Sequence, residues 1–232
     1  MQNIPAGRFV VLDFETTGMS PALGARVIEI SAREIVDGRA GEEFATLVDP
    51  GLRVPYEITQ LTGISTAMLA GAPTSPVAMR ELAAFIGSSP IVAHNAGFDR
   101  RFLEYEAAAF LEGRAVRALC TLLLARRIFP GLGSYRLGQL IGACGIAANG
   151  QLHRASADTF VTAHLFDRIC ADARARCAAS RFDCDVLHQL QRIKIATAYD
   201  WLATVGTAAA VIRKSRRPAA DNAAGRAQAP AA

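Results

Sequence analysis

The stretch Phe9 to Gly18, FVVLDFETTG, constrains this chain more than any other. Its apolar run Phe9, Val10, Val11, Leu12 reads as a buried strand that delivers two acids, Asp13 and Glu15, at its carboxyl end. Residues two apart on an extended strand share a face, so both carboxylates project together while Phe14 turns away into apolar packing. Adjacent carboxylates repel each other. A hard divalent cation removes that repulsion, and oxygen ligands suit Mg²⁺ or Mn²⁺ far better than Zn²⁺. Alone, an Asp-x-Glu pair is more often a strand end with two solvated acids, so partners elsewhere in the chain must decide.

The 232 residues suffice for one substantial core with extensions. Charged residues make up 20% and hydrophobic residues 51%, the balance of a soluble globular protein. No apolar run is long enough to cross a bilayer, and Met1 to Gly7 lacks the parts of a signal peptide, so a cytoplasmic location without membrane partners is expected. Five Cys without a Cys-x-x-Cys pair suggest reduced thiols; Cys170, Cys177 and Cys184 recur every seven residues, a helix-face spacing more than a zinc spacing. A net charge of +4 permits an anionic partner without identifying one.

Arg26 to Val36 reads as a second strand, Asp37-Gly38 as a tight turn and Glu43 to Val48 as a third strand, an antiparallel meander. A helix is predicted over Pro76 to Ile86, then a short strand over Pro90 to Ala93 that runs into HNAGFD and a helix to about Leu111. Arg117 to Phe129 reads as a helix stopped by Pro130, and Tyr135 to Cys144 as a short one. His153 falls in a loop before a long helix over Ala155 to Ala175. Strands first, then mostly helices around a further strand, indicate a mixed α/β layer fold. Residues 1–180 make the main domain and residues 181–212 a helical extension, with one helix over Asp185 to Val205. Residues 213–232, rich in Ala, Pro and Arg, read as a disordered tail.

Asp99 follows a strand and opens a helix, so its carboxylate can be held at the edge of the same sheet, although a helix-capping role suits it as well. His153 in a loop and Asp158 about one turn into the following helix let an imidazole reach a site that a helix-borne carboxylate anchors. His94 is read as supporting the Asn95 to Asp99 turn.

The ordered set Asp13-x-Glu15, HNAGFD ending at Asp99, and HRASAD from His153 to Asp158 resembles the DEDDh family of 3′ to 5′ exonucleases, the proofreading group. The resemblance covers about residues 8 to 172. ITQLTGI at Ile58 to Ile64, IVAHNAGFDRRFL at Ile91 to Leu103 and CTLLLARRIFP at Cys120 to Pro130 agree with it. It implies a ribonuclease H-like fold, a five-stranded mixed sheet flanked by helices. It further implies two Mg²⁺ or Mn²⁺ ions held by Asp13, Glu15, Asp99 and Asp158, with His153 as general base. In relatives, the positions of Thr16 and Thr17 line the pocket for the terminal nucleotide, Leu61 and Thr62 fall where the last base is wedged or cradled, and Asn95 lies nearby.

The activity so implied is hydrolysis of single-stranded or frayed DNA 3′ ends to nucleoside 5′-monophosphates, in proofreading or repair. The same motifs serve RNA-trimming exoribonucleases, because discrimination of the 2′-hydroxyl depends on pocket shape. A polymerase-associated binding module is the alternative from another class, and docking of a DNA polymerase subunit through the C-terminal extension is compatible with catalysis.

Overall fold

A computed structural model describes residues 1–147, 154–180 and 182–206. Five strands form one sheet in the order β3-β2-β1-β4-β5. They are β1 (Arg8–Thr16), β2 (Val27–Val36), β3 (Arg39–Leu47), β4 (Ile91–Ala93) and β5 (Ala118–Cys120). The first three are antiparallel neighbours, whereas β4 pairs parallel with β1 and β5 parallel with β4. The sheet is therefore mixed, as expected. Asp37 and Gly38 turn the chain between β2 and β3 with φ of 49° and 75°, the left-handed pair that a two-residue hairpin demands. A Cβ at Gly38 would also run into the Met1 carbonyl oxygen, so glycine is required there twice over.

The helices are α1 (Tyr56–Thr62), α2 (Ser75–Ile86), α3 (Gly97–Glu106), α4 (Thr121–Ile128), α5 (Leu137–Ala143), α6 (Ala155–Arg176), α7 (Cys184–Leu190) and α8 (Ala198–Thr204). Strand β1 alternates between two cores. Val10, Leu12 and Phe14 pack with Ala78, Met79 and Leu82 of α2 and Phe102 and Leu103 of α3. Phe9 and Val11 pack on the opposite face with Leu124 and Ile128 of α4 and Phe166, Ile169 and Cys170 of α6. Both faces being covered explains why β1 reads as an unbroken apolar run. Alternation also settles the fate of the acids, because Asp13 and Glu15 continue the Phe9 and Val11 series and so face α6.

Four expectations are corrected, the first being the third strand, which begins at Arg39 directly after the turn and not at Glu43. Ala118 to Cys120, read as the start of a helix, is instead the edge strand β5, and the helix begins only at Thr121. Three residues of Ala, Leu and Cys carry too little period to distinguish the two. The helix after Asp99 ends at Glu106, short of Leu111. The single terminal helix is two, α7 and α8, separated by a break in which Lys194 is extended. Beside that break the Gln191 side chain reaches edge strand β5, accepting from the Cys120 N–H at 2.9 Å and donating to the Ala118 carbonyl at 2.9 Å. Val186, Leu187, Leu190, Ala198 and Leu202 of the extension are buried in the same core as α4 and α6. The segment 213–232 lies outside the described residues.

Candidate active site

The strand places Asp13 and Glu15 on its α6 face, and α6 answers with Asp158 in its first turn. One carboxylate oxygen from each of the three lies within 4.8 Å of the others. Helix α6 is held over this end of the sheet by its apolar residues and by a buried bond of 2.8 Å between the hydroxyls of Ser31 on β2 and Thr159. The fourth acid arrives from the opposite layer. Asp99, in the first turn of α3 and 2% exposed, accepts a 3.2 Å hydrogen bond from the Phe14 N–H. It is thereby fixed to the residue between the two β1 acids.

Crowding and burial keep Asp13, Glu15 and Asp99 reluctant to ionise. Burial, then the charges of Asp99, Asp158, Glu15 and Glu29, push Asp13 well above the usual carboxylate range. Glu15 is pushed up to about 8 by burial first and then by Asp158, Glu29 and Asp99, with Arg154 opposing. Burial lifts Asp99 to about 7 against the N–H groups of Asp99 and Phe14 that favour its charge. A donor set made only of carboxylate oxygens, close enough to share one ligand and destabilised by its own charge, fits a hard divalent cation.

Asp13 and Asp158 open onto a cleft of about 940 Å³, also lined by His94, Asn95, Leu122, Arg126 and residues 133–139. Asn95 turns the chain from β4 into α3 with φ of 65°, a left-handed conformation that asparagine tolerates. His94 bridges two segments, its Nδ1 lying 2.9 Å from Thr121 Oγ1 and its Nε2 3.0 Å from the Tyr135 carbonyl. Burial lowers its pKa, so it sits neutral, donating from Nε2 to that carbonyl and accepting at Nδ1. It thus anchors the loop before α5 as well as its own turn.

Residues 10–166 match the family model described as Exonuclease, RNase_T. The chain belongs to this exonuclease family. It is 38% identical over 169 residues to DNA polymerase III subunit epsilon of Aquifex aeolicus, covering 72% of this chain and 82% of that protein. It is 36% identical over 157 residues to the PolC-type DNA polymerase III of Clostridium perfringens, covering 68% of this chain but spanning only 11% of that much longer protein. Exonuclease X, solved in complex with 5′ overhanging duplex DNA, superposes with a TM-score of 0.56 at 27% identity, covering 70% of this chain and 91% of that one. The fold is ribonuclease H-like, and the protein is a nuclease of the DEDDh 3′ to 5′ type.

The exonuclease holds a fifth acid near the cluster that sequence reasoning missed. Glu29 on β2 lies directly opposite Glu15 in the strand register and is 7% exposed. Like charges facing each other across a ladder destabilise it. Here the Arg154 guanidinium, 2.8 Å away, and the Ala155 N–H, 3.0 Å away, both donate to the Glu29 carboxylate. The pair seats the first residues of α6, one turn before Asp158. An acid within the apolar run Val27, Ile28, Ile30 was the available signal, and its partner stood more than a hundred residues away.

Among the described residues, the other sequence-predicted residues of the exonuclease do not line the acid cleft. Thr16 and Thr17 are buried, with hydroxyls engaged in the turn: Thr16 donates to the Gly18 carbonyl at 2.7 Å and Thr17 accepts from the Arg26 N–H at 2.9 Å. Thr17 also lines a shallow pocket with Met19, Leu23 and Leu52. Thr62 is buried and bonded within its own turn, and Leu61 is half exposed on α1; neither lines the acid cleft. His153 lies outside the described residues.

Proposed function

We propose that this exonuclease shortens DNA stepwise from the 3′ end and releases nucleoside 5′-monophosphates, using two Mg²⁺ or Mn²⁺ ions and His153 as general base. The convergence of Asp13, Glu15 and Asp158 in an open cleft, with Asp99 tied to Phe14, carries the proposal. Asp13, which feels the charges of Asp99, Asp158 and Glu15, would serve both ions; Glu15 and Asp158 would complete one site and Asp99 the other. Such ions supply charge neutralisation at the phosphate and a nucleophile at neutral pH. The chain supplies the geometry. Strand β1 and helix α6 fix the oxygens before substrate arrives, and the Glu29–Arg154 pair sets the start of α6. An imidazole with an ordinary pKa near about 6.5 accepts a proton at neutral pH.

DNA as substrate is supported by the names of the relatives, one a DNA polymerase subunit and another solved with DNA. Asn95, which lines the cleft, together with Thr16, Thr17, Leu61 and Thr62, is proposed to hold the terminal nucleotide. The epsilon relative also supports docking of a polymerase subunit on the C-terminal extension. A cytoplasmic site of action fits the five free thiols. Among the described residues no helix is long and apolar enough to cross a membrane.

Digestion of 5′-labelled single-stranded DNA and RNA with Mg²⁺ or Mn²⁺, beside Asp13→Ala and an EDTA control, tests the reading. Metal-dependent ladders shortening from the 3′ end, lost in the variant, are expected, with DNA cut faster than RNA. Faster trimming of RNA would move the assignment to an exoribonuclease. A folded, metal-loaded protein that cuts neither polymer would overturn it in favour of a binding module.

A further inference from the structure

The cleft that begins at the acids continues past them, and its far wall is basic. Across the sheet edge the order β1, β4, β5 places the start of α4, which follows β5 directly, two strand spacings from Asp13, roughly 10 Å. Two exposed arginines line the cleft there, Arg126 on α4 and Arg136 just before α5. Among the described residues neither forms an ion pair, whereas Arg8, Arg33, Arg100, Arg117, Arg154, Arg168 and Arg176 all do. Arg127, the neighbour of Arg126, is engaged with the Ile193 and Leu123 carbonyls and does not line the cleft.

The wall is also built rather than merely charged. The Arg126 guanidinium lies 5.7 Å from the centre of the Tyr135 ring. That ring is fixed at its far end, where Tyr135 Oη donates to the Phe129 carbonyl at 2.7 Å, and its backbone carbonyl accepts from His94. The loop carrying Arg136 is therefore tied to the carboxyl end of β4, the same edge on which the acids stand. Among the described residues Asp13 and Asp158 are the sole carboxylates lining the cleft, so its charge is segregated, negative at the reaction centre and positive beyond it.

We propose that Arg126 and Arg136 bind backbone phosphates of the substrate strand upstream of the scissile bond, with Tyr135 holding Arg126 in place. The two arginines line the basic side of the cleft beyond Asp13 and Asp158, and so are assigned to phosphates other than the scissile one. They would instead keep the strand in the cleft and aim its 3′ end at the cluster. The inference rests on the exonuclease reading for the identity of the ligand, and binding can be measured apart from cleavage.

The test is titration of a fluorescein-labelled dT12 oligonucleotide with the full chain in EDTA, at several NaCl concentrations. Each phosphate contact to a single strand contributes about 0.7 to the slope of log affinity against log salt. Arg126→Gln and Arg136→Gln are each expected to weaken binding at low salt and to flatten that slope by about 0.7, and Arg126→Lys to restore it. Circular dichroism confirms that the variants are folded. Wild-type slopes in both glutamine variants would overturn the proposal, even if the chain cleaves DNA normally. Arginine-dependent slopes in a chain that cleaves nothing would uphold it while removing the catalytic reading.

Discussion

Asp99 accepts a hydrogen bond from the backbone N–H of Phe14, the residue that separates Asp13 from Glu15. The fourth acid thus holds the strand end that carries Asp13 and Glu15, and Asp99 has a structural duty beside its proposed chemical one. Asparagine at this position keeps an acceptor and discards the charge, while alanine discards both. Asp99→Asn is expected to melt at or above the wild-type temperature in EDTA and to lose nuclease activity. Asp99→Ala should also lose about 1–3 kcal/mol for the stranded buried N–H. Thermal melts of both variants read the two duties separately.

Glu15 at about 8 and Asp99 at about 7 in the folded protein stand above their ordinary values. The native state therefore binds more protons than the unfolded chain between the ordinary carboxylate range and pH 8, so stability falls as pH rises through that window. In EDTA the melting temperature should decline from about pH 5 to pH 8. Mn²⁺ or Mg²⁺ should raise it by more at pH 8 than at pH 5.5, since metal replaces the lost protons. An equal metal increment at both values would show that these acids are not where the ion binds.

The Glu29–Arg154 pair is asymmetric, with the Glu29 side chain 10% exposed and that of Arg154 41%. Arg154→Ala leaves a buried carboxylate facing Glu15 with only the Ala155 N–H, whereas Glu29→Gln leaves a guanidinium that can turn to solvent. Arg154→Ala is expected to cost about 1–3 kcal/mol, and adding Glu29→Gln to it should recover part of that loss. Denaturant unfolding of the single and double variants measures the coupling. The nuclease rate should fall in Arg154→Ala together with the seating of α6.

His153→Ala is expected to lower the rate by about 10²-fold or more at neutral pH, the usual contribution of a positioned general base. The metal dependence of the melting temperature should stay close to wild type, because the carboxylates remain. An unchanged rate would take His153 out of the mechanism.

How much of this was legible in the sequence follows from distance along the chain and from length of pattern. Asp13 and Glu15 were readable because period-two alternation over Phe9 to Glu15 is local, and it also fixed the face they share. Asp158 was readable as a helix position. The meeting of α6 with that face is tertiary, and only the ordered motifs hinted at it. Glu29 was hidden because its meaning depends on Glu15 opposite it and Arg154 beyond it. Strand β5 was hidden because Ala118, Leu119 and Cys120 become a strand only by pairing with Ile91 to Ala93. Arg126 and Arg136 looked like ordinary surface charge until the fold set them on one wall.

The C-terminal extension follows the same logic and changes how polymerase docking must be tested. Leu187, Leu190, Ala198 and Leu202 are fully buried with Phe166 and Leu124, and Gln191 supplies the edge of β5 with the partners a sixth strand would have given. A chain ending near Ser180 would bare that core and that edge. It is expected to melt well below the full chain, and even Leu187→Ala alone should cost about 2–5 kcal/mol. Loss of a partner on truncation would then report unfolding rather than a missing docking site. Ending the chain at Gly206 keeps α7 and α8 and removes the basic tail. If the tail docks the polymerase, copurification should fail for that chain while its melting temperature and nuclease rate hold; recovery equal to the full chain would place docking on the folded body.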